Sequence, residues 1–544
     1  MDLFVKIIFI VLFFAVTIFI GFYCRKKAQN SNDFVLGGRN VGPWLSAFAY
    51  GTSYFSAVIF IGYAGSFGKL FGVAAFWIGI GNALIGSWLA WALLGRKTRI
   101  MTQHFNSSTM PDFFAKRFKS EGLRIFAAVI IFIFLIPYTA ALYNGLADLF
   151  GVAFSTAVPY WVWILIIAVA TGAYVIVGGL MSTAVNSFIQ GLIMLVGIAL
   201  VVIFTLQLNG GLMGSFKELA THGWQFTSLF GPDPVHLAFV VLLTSLGCWG
   251  LPQMVSKFYS IKNENQIRKG SVISTAFAIV VAGGCYFLGG FALLFTAEAG
   301  NTSIIPYIVS KLPMLVIAIV IVLVLAASMS TLSGLVHTSA STVTFDLIDR
   351  KKQMPEKKKM TWLRSLVVVF IVISAALAIF QTLDGVPANL KKDIASLMGI
   401  SWGAISGAFI GPFFYGLYWK KTTKVSVYVS FIAGLLISII GLVLSLAGVD
   451  AKITSESSGF TICWFNFADS IYMGVAAMVL SFIIVPVVSS FTKAPEGVDE
   501  MFECYNKKVV VTSEVALTEE ALEKEESVDT ETKEEPIVVE NQEN

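Results

Sequence analysis

Long apolar segments follow one another through most of this chain, and they limit the possible folds more than any other feature. Of the 544 residues, 56% are hydrophobic and only 13% are charged, which excludes an ordinary soluble globular protein. An apolar segment of about 20 residues is long enough to cross a bilayer as a helix. The pattern therefore predicts an all-α polytopic membrane protein with about thirteen spans, at residues 4–23, 44–64, 72–94, 123–149, 159–177, 184–207, 236–256, 272–297, 312–345, 363–383, 394–418, 425–447 and 470–489.

The second and the seventh spans contain residues that interrupt helices. The second, within residues 46–63, has a Gly-Thr-Ser run at 51–53, and the seventh, within residues 240–259, has Gly250 and Pro252. Broken backbone is tolerated at membrane depth only where protein or a water-filled cavity receives the freed N–H and C=O groups. A pair of interrupted spans in corresponding halves of a chain indicates the binding site of a transporter.

The charges of the loops predict how the chain is oriented. The loops after odd-numbered spans carry 25 basic residues, whereas the opposite loops carry seven. Because cytoplasmic loops are enriched in Lys and Arg, we expect a multi-pass protein of the cell (plasma) membrane with its N-terminus outside and its C-terminus in the cytoplasm.

The last 51 residues, 494–544, differ from the rest of the chain. They hold sixteen acidic residues and four lysines, a net charge of −12, and few large apolar residues. Such a composition predicts a disordered, solvated cytoplasmic tail. An alternative is that the tail tethers a cytoplasmic partner or the basic inner loops.

The sequence does not favour an enzyme. No phosphate-binding loop, zinc-protease motif or hydrolase nucleophile motif is present, and the predicted spans have almost no charged residues in their cores. This argues against an ATP-driven pump, an intramembrane hydrolase and a relay of buried carboxylates. Nothing indicates an enzymatic cofactor or a nucleic-acid partner; the expected partners are the lipid bilayer, a small solute and an ion.

The ninth span offers neutral oxygen ligands for such an ion. Between residues 326 and 347 it contains nine Ser and Thr residues, and Ala327, Ser330 and Thr331 lie at i, i+3 and i+4 on one face of the helix. Hard cations accept hydroxyl and carbonyl oxygens, so a sodium site needs no carboxylate. The alternative is that these hydroxyls bond the carbonyls of their own helix or pack against neighbouring helices.

Six segments, taken together and in this order, resemble the sodium:solute symporter family, which includes sodium/proline and sodium/pantothenate carriers. They are FVLGGRNVGPW (34–44), TMPDFFAKRF (109–118), IVGGLMSTAVNSFIQGLIMLVG (176–197), LGCWGLPQMVSKFYSIKN (246–263), AASMSTLSGLVHTSASTVTFDL (326–347) and GAISGAFIGPFFYGLYWKKTT (403–423). The resemblance implies a leucine-transporter-like core of two inverted five-helix repeats, 44–208 and 236–419. It also implies a first helix and cytoplasmic loop (1–43), an external loop (209–235) and two peripheral helices (420–493), which the acidic tail (494–544) follows.

The resemblance also implies a sodium site, transferred position by position. Its ligands would be the hydroxyls of Ser330 and Thr331 and the carbonyls of Ala327, Thr52 and Phe55, with Na⁺ as the coupling ion and no other metal. Position alone selects the expected solute contacts, which are Ser53, Tyr54, Trp249, Gln253 and Tyr138.

Two positions depart from the family pattern. Sodium/proline carriers have an Asp where Tyr54 stands, and many members have an Asp where Ser187 stands in the sixth span. These departures weaken the prediction of a second sodium site and of a proline-carrier mode of substrate binding.

The broken spans and the resemblance together predict a secondary transporter that imports an amino acid, a pantothenate-like or other carboxylate, or a sugar with Na⁺ by alternating access. The alternatives are a membrane sensor that retains the carrier fold and a sodium-independent carrier.

Overall fold

The computed structural model describes residues 2–24, 31–154, 158–300, 303–351, 353–383, 385–387, 390–449, 451–457, 460–493 and 495–506. This part of the chain is almost entirely helical, as predicted. The α-helices of the first half are Asp2–Cys24, Ser31–Leu36, Pro43–Tyr54, Ala64–Phe71, Phe76–Gly81, Arg96–His104, Met110–Arg117, Glu121–Phe154, Tyr160–Leu208 and Gly211–Thr221.

The second half continues the same architecture. Its α-helices are Pro234–Leu246, Pro252–Tyr259, Asn265–Ala278, Gly284–Gly289, Thr296–Ala299, Ile304–Ser310, Met314–Thr342, Glu356–Phe380, Ile394–Tyr418, Lys424–Leu446, Ser470–Ser490 and Val498–Glu503. Segments of π-helix extend several of these spans, at Val58–Tyr63, Asn82–Leu89, Trp91–Gly95, Ile279–Gly283 and Val343–Ile348. Short 3₁₀ turns lie at Gly37–Arg39, Gly72–Ala75, Trp224–Thr227, Gly247–Gly250 and Ala292–Phe295.

One antiparallel hairpin, which we did not predict, joins the last two long helices. Its strands are Lys452–Ser457 and Phe460–Asn466. The Cys463 N–H donates to a carboxylate oxygen of Asp233 at 3.3 Å, so the hairpin lies against the start of the seventh span.

Ten helices of the described residues are long and apolar enough to cross a membrane, and the bent pair in the seventh span makes eleven. The predicted count of thirteen is therefore not confirmed by length and composition. Pro43–Tyr54 is too short because the second span is broken, and the apolar helix Tyr160–Ala173 falls below the length of a span. Gly179, with φ +58°, kinks the helix Tyr160–Leu208 between the predicted fifth and sixth spans.

The break in the second span lies just beyond the residues that predicted it. Residues 51–53 remain helical because the Phe55 N–H still donates to the Gly51 carbonyl at 3.2 Å. The helix ends at Tyr54, where Phe55 is extended (φ −91°, ψ 126°), and helical structure resumes at Ala57. Phe55 and Ser56 thus interrupt the helix and redirect the chain without a proline.

The seventh span breaks at the predicted residues. The 3₁₀ turn Gly247–Gly250 is followed by extended Leu251 (φ −81°, ψ 121°), and Pro252 opens the next helix at a bend of 47°. Proline is favoured at the first helical position because its missing N–H has no intrahelical role there. A Cβ on Gly250 would lie 2.8 Å from the Cα of Ser406, so glycine allows this break to pack directly against the helix Ile394–Tyr418.

The hydroxyl-rich helix Met314–Thr342 lies at the centre of the molecule. In its most apolar stretch of 18 residues, 89% of the residues are buried, whereas the corresponding share for the first helix is 17%. It packs against Pro43–Tyr54, Glu121–Phe154 and Tyr160–Leu208. The central helix therefore contacts the broken second span.

The beginning of the acidic tail differs from the expectation of disorder. Residues 495–506 contain the helix Val498–Glu503, and the ring of Phe502 is buried 5.0 Å from the guanidinium of Arg117. Phe502 and Tyr505 provide aromatic rings within an acidic stretch, and the contact of Phe502 with Arg117 holds this segment against the folded part of the chain. The rest of the tail, 507–544, lies outside the described residues.

Candidate functional site

The break in the second span frees backbone carbonyls from helical hydrogen bonding. In a continuous helix the Ala57 N–H would bond the Ser53 carbonyl, but it donates instead to the hydroxyl of Ser328 at 3.2 Å. Ser328 belongs to the central helix Met314–Thr342. The central helix thus supports the broken backbone and leaves the Ser53 carbonyl without its helical donor.

The side chain of Thr331 is where these carbonyls converge. Its hydroxyl oxygen lies 3.4 Å from the carbonyl oxygens of Thr52, Ser53 and Phe55, and 3.1 Å from that of Ala327. A hydroxyl has one proton and can donate to only one of the four at a time. The cluster is fully buried, so several carbonyl lone pairs face one small polar centre away from water.

Ser330 joins the same centre through side chains. Its hydroxyl oxygen lies 2.7 Å from Thr52 Oγ1 and 2.9 Å from the hydroxyl oxygen of Ser187. The five predicted sodium ligands, Thr52, Phe55, Ala327, Ser330 and Thr331, are therefore brought together. The sequence reading missed the carbonyl of Ser53, because a carbonyl is freed by backbone geometry and has no side-chain signature.

This centre is made of neutral oxygens from two helices. Three of its carbonyls come from the broken second span, and one carbonyl and two hydroxyls come from the central helix. Carbonyl and hydroxyl oxygens suit a hard cation, and unwound helix carbonyls are a known way to coordinate Na⁺ in transporters. The arrangement is chemically able to hold one dehydrated alkali cation.

Two of the predicted solute residues meet at an aromatic cluster. The ring of Trp402 lies 6.2 Å from that of Tyr54 and 6.0 Å from that of Tyr138. The Tyr54 hydroxyl donates to the carbonyl of Thr244 in the seventh span. Trp402, on the eleventh span, was missed because it lies in a long apolar helix and carries no local signal that separates it from other buried tryptophans.

Two further predicted residues present buried polar atoms without hydrogen-bond partners in the described structure. These are the hydroxyl of Ser53 and Oε1 of Gln253, each on a side chain that is 2% exposed. Buried polar atoms are rarely left without partners, so such atoms are candidate ligand contacts. The Ser53 hydroxyl faces the central helix, 3.8 Å from where a Cβ on Gly334 would lie.

Trp249 makes different contacts from the other predicted solute residues. Its indole N–H donates to the carbonyl of Ile85 at 3.0 Å, and its ring stacks 6.4 Å from Phe414. The described contacts therefore do not join it to Tyr54 or Tyr138, and its role in solute binding stays a prediction.

The loops predicted to be cytoplasmic meet one another on a single face. Arg39 donates to the carbonyl of Ser107 at 2.7 Å, and buried Arg117 donates to the carbonyl of Gly416 at 2.9 Å. Burial lowers the pKa of Arg117 to about 10, so its guanidinium stays charged at neutral pH. Arg39 thus joins the loops after the first and third spans, and Arg117 joins the loop after the third span to the end of the helix Ile394–Tyr418.

Comparison with known proteins gives a consistent result. A model described as the sodium:solute symporter family matches residues 34–434. The chain is 27% identical over 495 residues to the osmoregulated proline transporter OpuE of Bacillus subtilis (strain 168), covering 89% of this chain and 94% of the relative. It is also 27% identical over 510 residues to a sodium/proline symporter of Staphylococcus aureus (strain JH9), covering 90% and 93%.

Solved structures share the fold at lower identity. A Na⁺-coupled sialic acid symporter in a substrate-bound, outward-open state superimposes with a TM-score of 0.69 at 16% identity, covering 90% of this chain and 99% of that chain. Mhp1, a nucleobase-cation-symport-1 family transporter, superimposes with a TM-score of 0.51 at 15% identity, covering 87% and 98%. These similarities confirm the predicted leucine-transporter-like fold.

Proposed function

This chain belongs to the sodium:solute symporter family and imports a small solute together with Na⁺, and we propose that its sodium ion binds at the break of the second span. The proposed ligands are the carbonyls of Thr52, Phe55 and Ala327 and the hydroxyls of Ser330 and Thr331. The observation that carries the proposal is the set of four carbonyl oxygens within 3.4 Å of the Thr331 hydroxyl oxygen. A cation at their common centre would replace the single hydrogen bond that Thr331 can make.

Binding at this position would link the ion to alternating access. The ligands come from the end and break of the second span, residues 52–55, and from the helix Met314–Thr342, so a bound ion fixes these two elements to each other. Transporters of this class move one group of helices against another around a central site. Sodium would therefore hold the broken span in the geometry that forms the solute site, and its departure would release the contact.

We propose that the solute is a small zwitterion of the size of proline. The relatives at 27% identity are named as proline transporters, and the proposed solute contacts, Ser53, Tyr54, Tyr138, Gln253 and Trp402, offer hydroxyl, amide and ring groups but no ionised side chain. A solute without net charge avoids the cost of leaving an uncompensated charge in the membrane. Its carboxylate would face the sodium ion and the N–H groups at the starts of the half-helices.

The orientation of the chain also belongs to this proposal. The contacts of Arg39 and Arg117 bring the most basic loops to one face, and the positive-inside rule assigns that face to the cytoplasm. The N-terminus would then lie outside. A cytoplasmic partner for the acidic tail stays a prediction.

A proteoliposome experiment tests the ion and the solute together. The purified full-length protein is reconstituted, an inward Na⁺ gradient is imposed, and uptake of radiolabelled proline, pantothenate, sialic acid and glucose is measured. We expect uptake of proline only, abolished when external Na⁺ is replaced by choline. Uptake of proline that is unaltered in choline would refute the sodium site, and uptake of an anion or a sugar instead would refute the zwitterion.

A further inference from the structure

Lys257 is a buried cation that the transport mechanism above does not use. It lies in the half-helix Pro252–Tyr259, just after the break of the seventh span, and is only 4% exposed. Within the described part of the chain its ammonium group makes no hydrogen bond and no ion pair. An ammonium in a buried position without an anion is costly, which makes this residue unusual.

His337 shares one small cavity with Lys257. The histidine is 7% exposed, its ring packs 5.1 Å from that of Phe34, and its Nε2 atom has no hydrogen-bond partner among the described residues. The cavity has a volume of about 20 Å³, and hydroxyl groups supply most of the remaining polar lining: Ser108, Thr109, Thr183, Ser256, Thr338 and Ser341.

The cavity lies next to the proposed sodium site along the central helix. His337 follows Ser330 by seven residues, which is two helical turns or about 10 Å. The opposite end of the cavity is lined by Ser108 and Thr109, from the loop that contacts Arg39. The cavity is therefore placed between the proposed sodium site and the face that carries the basic loops.

Two carboxylates near this cavity accept hydrogen bonds from groups other than Lys257. Asp112 accepts from Arg124 at 2.9 Å and from Lys116 at 2.7 Å. Asp346 accepts from the hydroxyl of Thr109 at 2.7 Å. The positive charge of Lys257 is thus not neutralised by an ion pair with the described carboxylates, and an external anion is the complement that the cavity lacks.

We propose that this cavity binds a small monovalent anion, either a halide or a single carboxylate group, through Lys257 and the surrounding hydroxyls. Ammonium and hydroxyl groups donate hydrogen bonds, whereas the ring N–H of His337 donates to the backbone carbonyl of Val35 and its Nε2 atom only lines the cavity. The volume accommodates an ion or a carboxylate but not a whole amino acid. A sodium ion is disfavoured because the fixed charge of Lys257 repels it.

Such a site would receive an anion on the path between the sodium site and the basic face. One source is free chloride. The other is the carboxylate of the solute as it moves toward release, with the rest of the solute outside the cavity, and this second source alone rests on the proposed function. In either case Lys257 offers a transient partner for negative charge.

Direct binding of two probe anions tests the site. Full-length protein in lipid nanodiscs is titrated with radiolabelled chloride and, separately, with radiolabelled acetate, in a buffer without Na⁺. We expect saturable binding of at least one probe, weakened tenfold or more in Lys257→Met and largely retained in Lys257→Arg. The control is Lys262→Met, an exposed lysine near the same helix end, which should bind like the unaltered protein.

The two probes also separate the two sources. If chloride binds tightly and its replacement by gluconate slows uptake, the site serves free halide. If acetate binds and competes with the solute while gluconate has no effect, the site serves the carboxylate. The proposal fails if neither anion shows saturable binding, or if Lys257→Met binds as tightly as the unaltered protein while remaining monodisperse. Because binding is measured without Na⁺, this failure would leave the sodium proposal unaffected.

Discussion

Replacing Thr331 with alanine removes the side chain on which four carbonyl oxygens converge, and it is the sharpest test of the sodium site. The proposed ion would lose one ligand of five. Interactions of a hydroxyl with a charged group contribute roughly 1.5–3 kcal/mol, so the Na⁺ concentration for half-maximal uptake should rise roughly tenfold to 100-fold. The measurement is solute uptake by proteoliposomes as a function of external Na⁺. Ser330→Ala should shift it in the same direction.

Ser339 provides a matched control on the same helix. It is also fully buried, and its hydroxyl has no hydrogen-bond partner in the described structure, so Ser339→Ala removes a comparable group away from the site. Its Na⁺ dependence should be unchanged, and Thr331→Ser, which keeps the hydroxyl, should recover most of the affinity. Equal shifts in Thr331→Ala and Ser339→Ala would refute the ligand assignment, as would an unaltered Na⁺ dependence in Thr331→Ala.

Three further outcomes follow from the packing and the charge of the transported species. Gly250→Ala places a Cβ 2.8 Å from the Cα of Ser406 and should lower the free energy of unfolding by roughly 1–3 kcal/mol, measured as a lower Tm in detergent. Gly42→Ala is the control, because the space around Gly42 is open and Tm should not change. Equal Tm values for the two variants would contradict the close packing at Gly250. Truncation after Asn506 should preserve both uptake and Tm. Phe502→Ala should instead lower Tm, because it removes the buried contact with Arg117. A truncated protein that cannot transport would show that the tail has an essential role. If one Na⁺ accompanies a zwitterion, an inside-negative potential of about 100 mV contributes about 2.3 kcal/mol and should raise the maximal ratio of internal to external solute roughly 50-fold. The potential is imposed as a potassium diffusion potential, and solute accumulation is measured. Accumulation that does not change with the potential would indicate electroneutral transport.

The sequence predicted the two breaks because each depends partly on local residues. Pro252 and Gly250 specify the second break almost alone, and it lies where they stand. The first break falls at Phe55 rather than at residues 51–53, because glycine at 51 is tolerated in a helix whose hydrogen bonds are otherwise complete. Its position depends on the central helix, where Ser328 takes the Ala57 N–H, and no local rule contains that contact.

Other parts of the site could not be read from the sequence for the same reason. Trp402 joins Tyr54 and Tyr138 only because three distant spans cross at one level, and the carbonyl of Ser53 acts through backbone geometry. The helix Val498–Glu503 was not predicted because the acidic composition of the surrounding tail indicates disorder. In each case the deciding contact joins residues far apart in sequence, which periodicity and composition do not record.

The break at Phe55 explains how one short stretch of backbone can couple two ligands. The Ser53 carbonyl belongs to the oxygen cluster around Thr331, and the next residue, Tyr54, belongs to the aromatic cluster with Tyr138. An ion that fixes residues 52–55 therefore fixes the solute side chains as well, without any contact between two distant sites. Linkage then requires that bound solute increase the affinity for Na⁺ by the same factor by which bound Na⁺ increases the affinity for solute. A site built from neutral oxygens suits this coupling: it has no fixed negative charge to hold the cation when the backbone geometry is lost, so affinity depends on the conformation that the solute also selects.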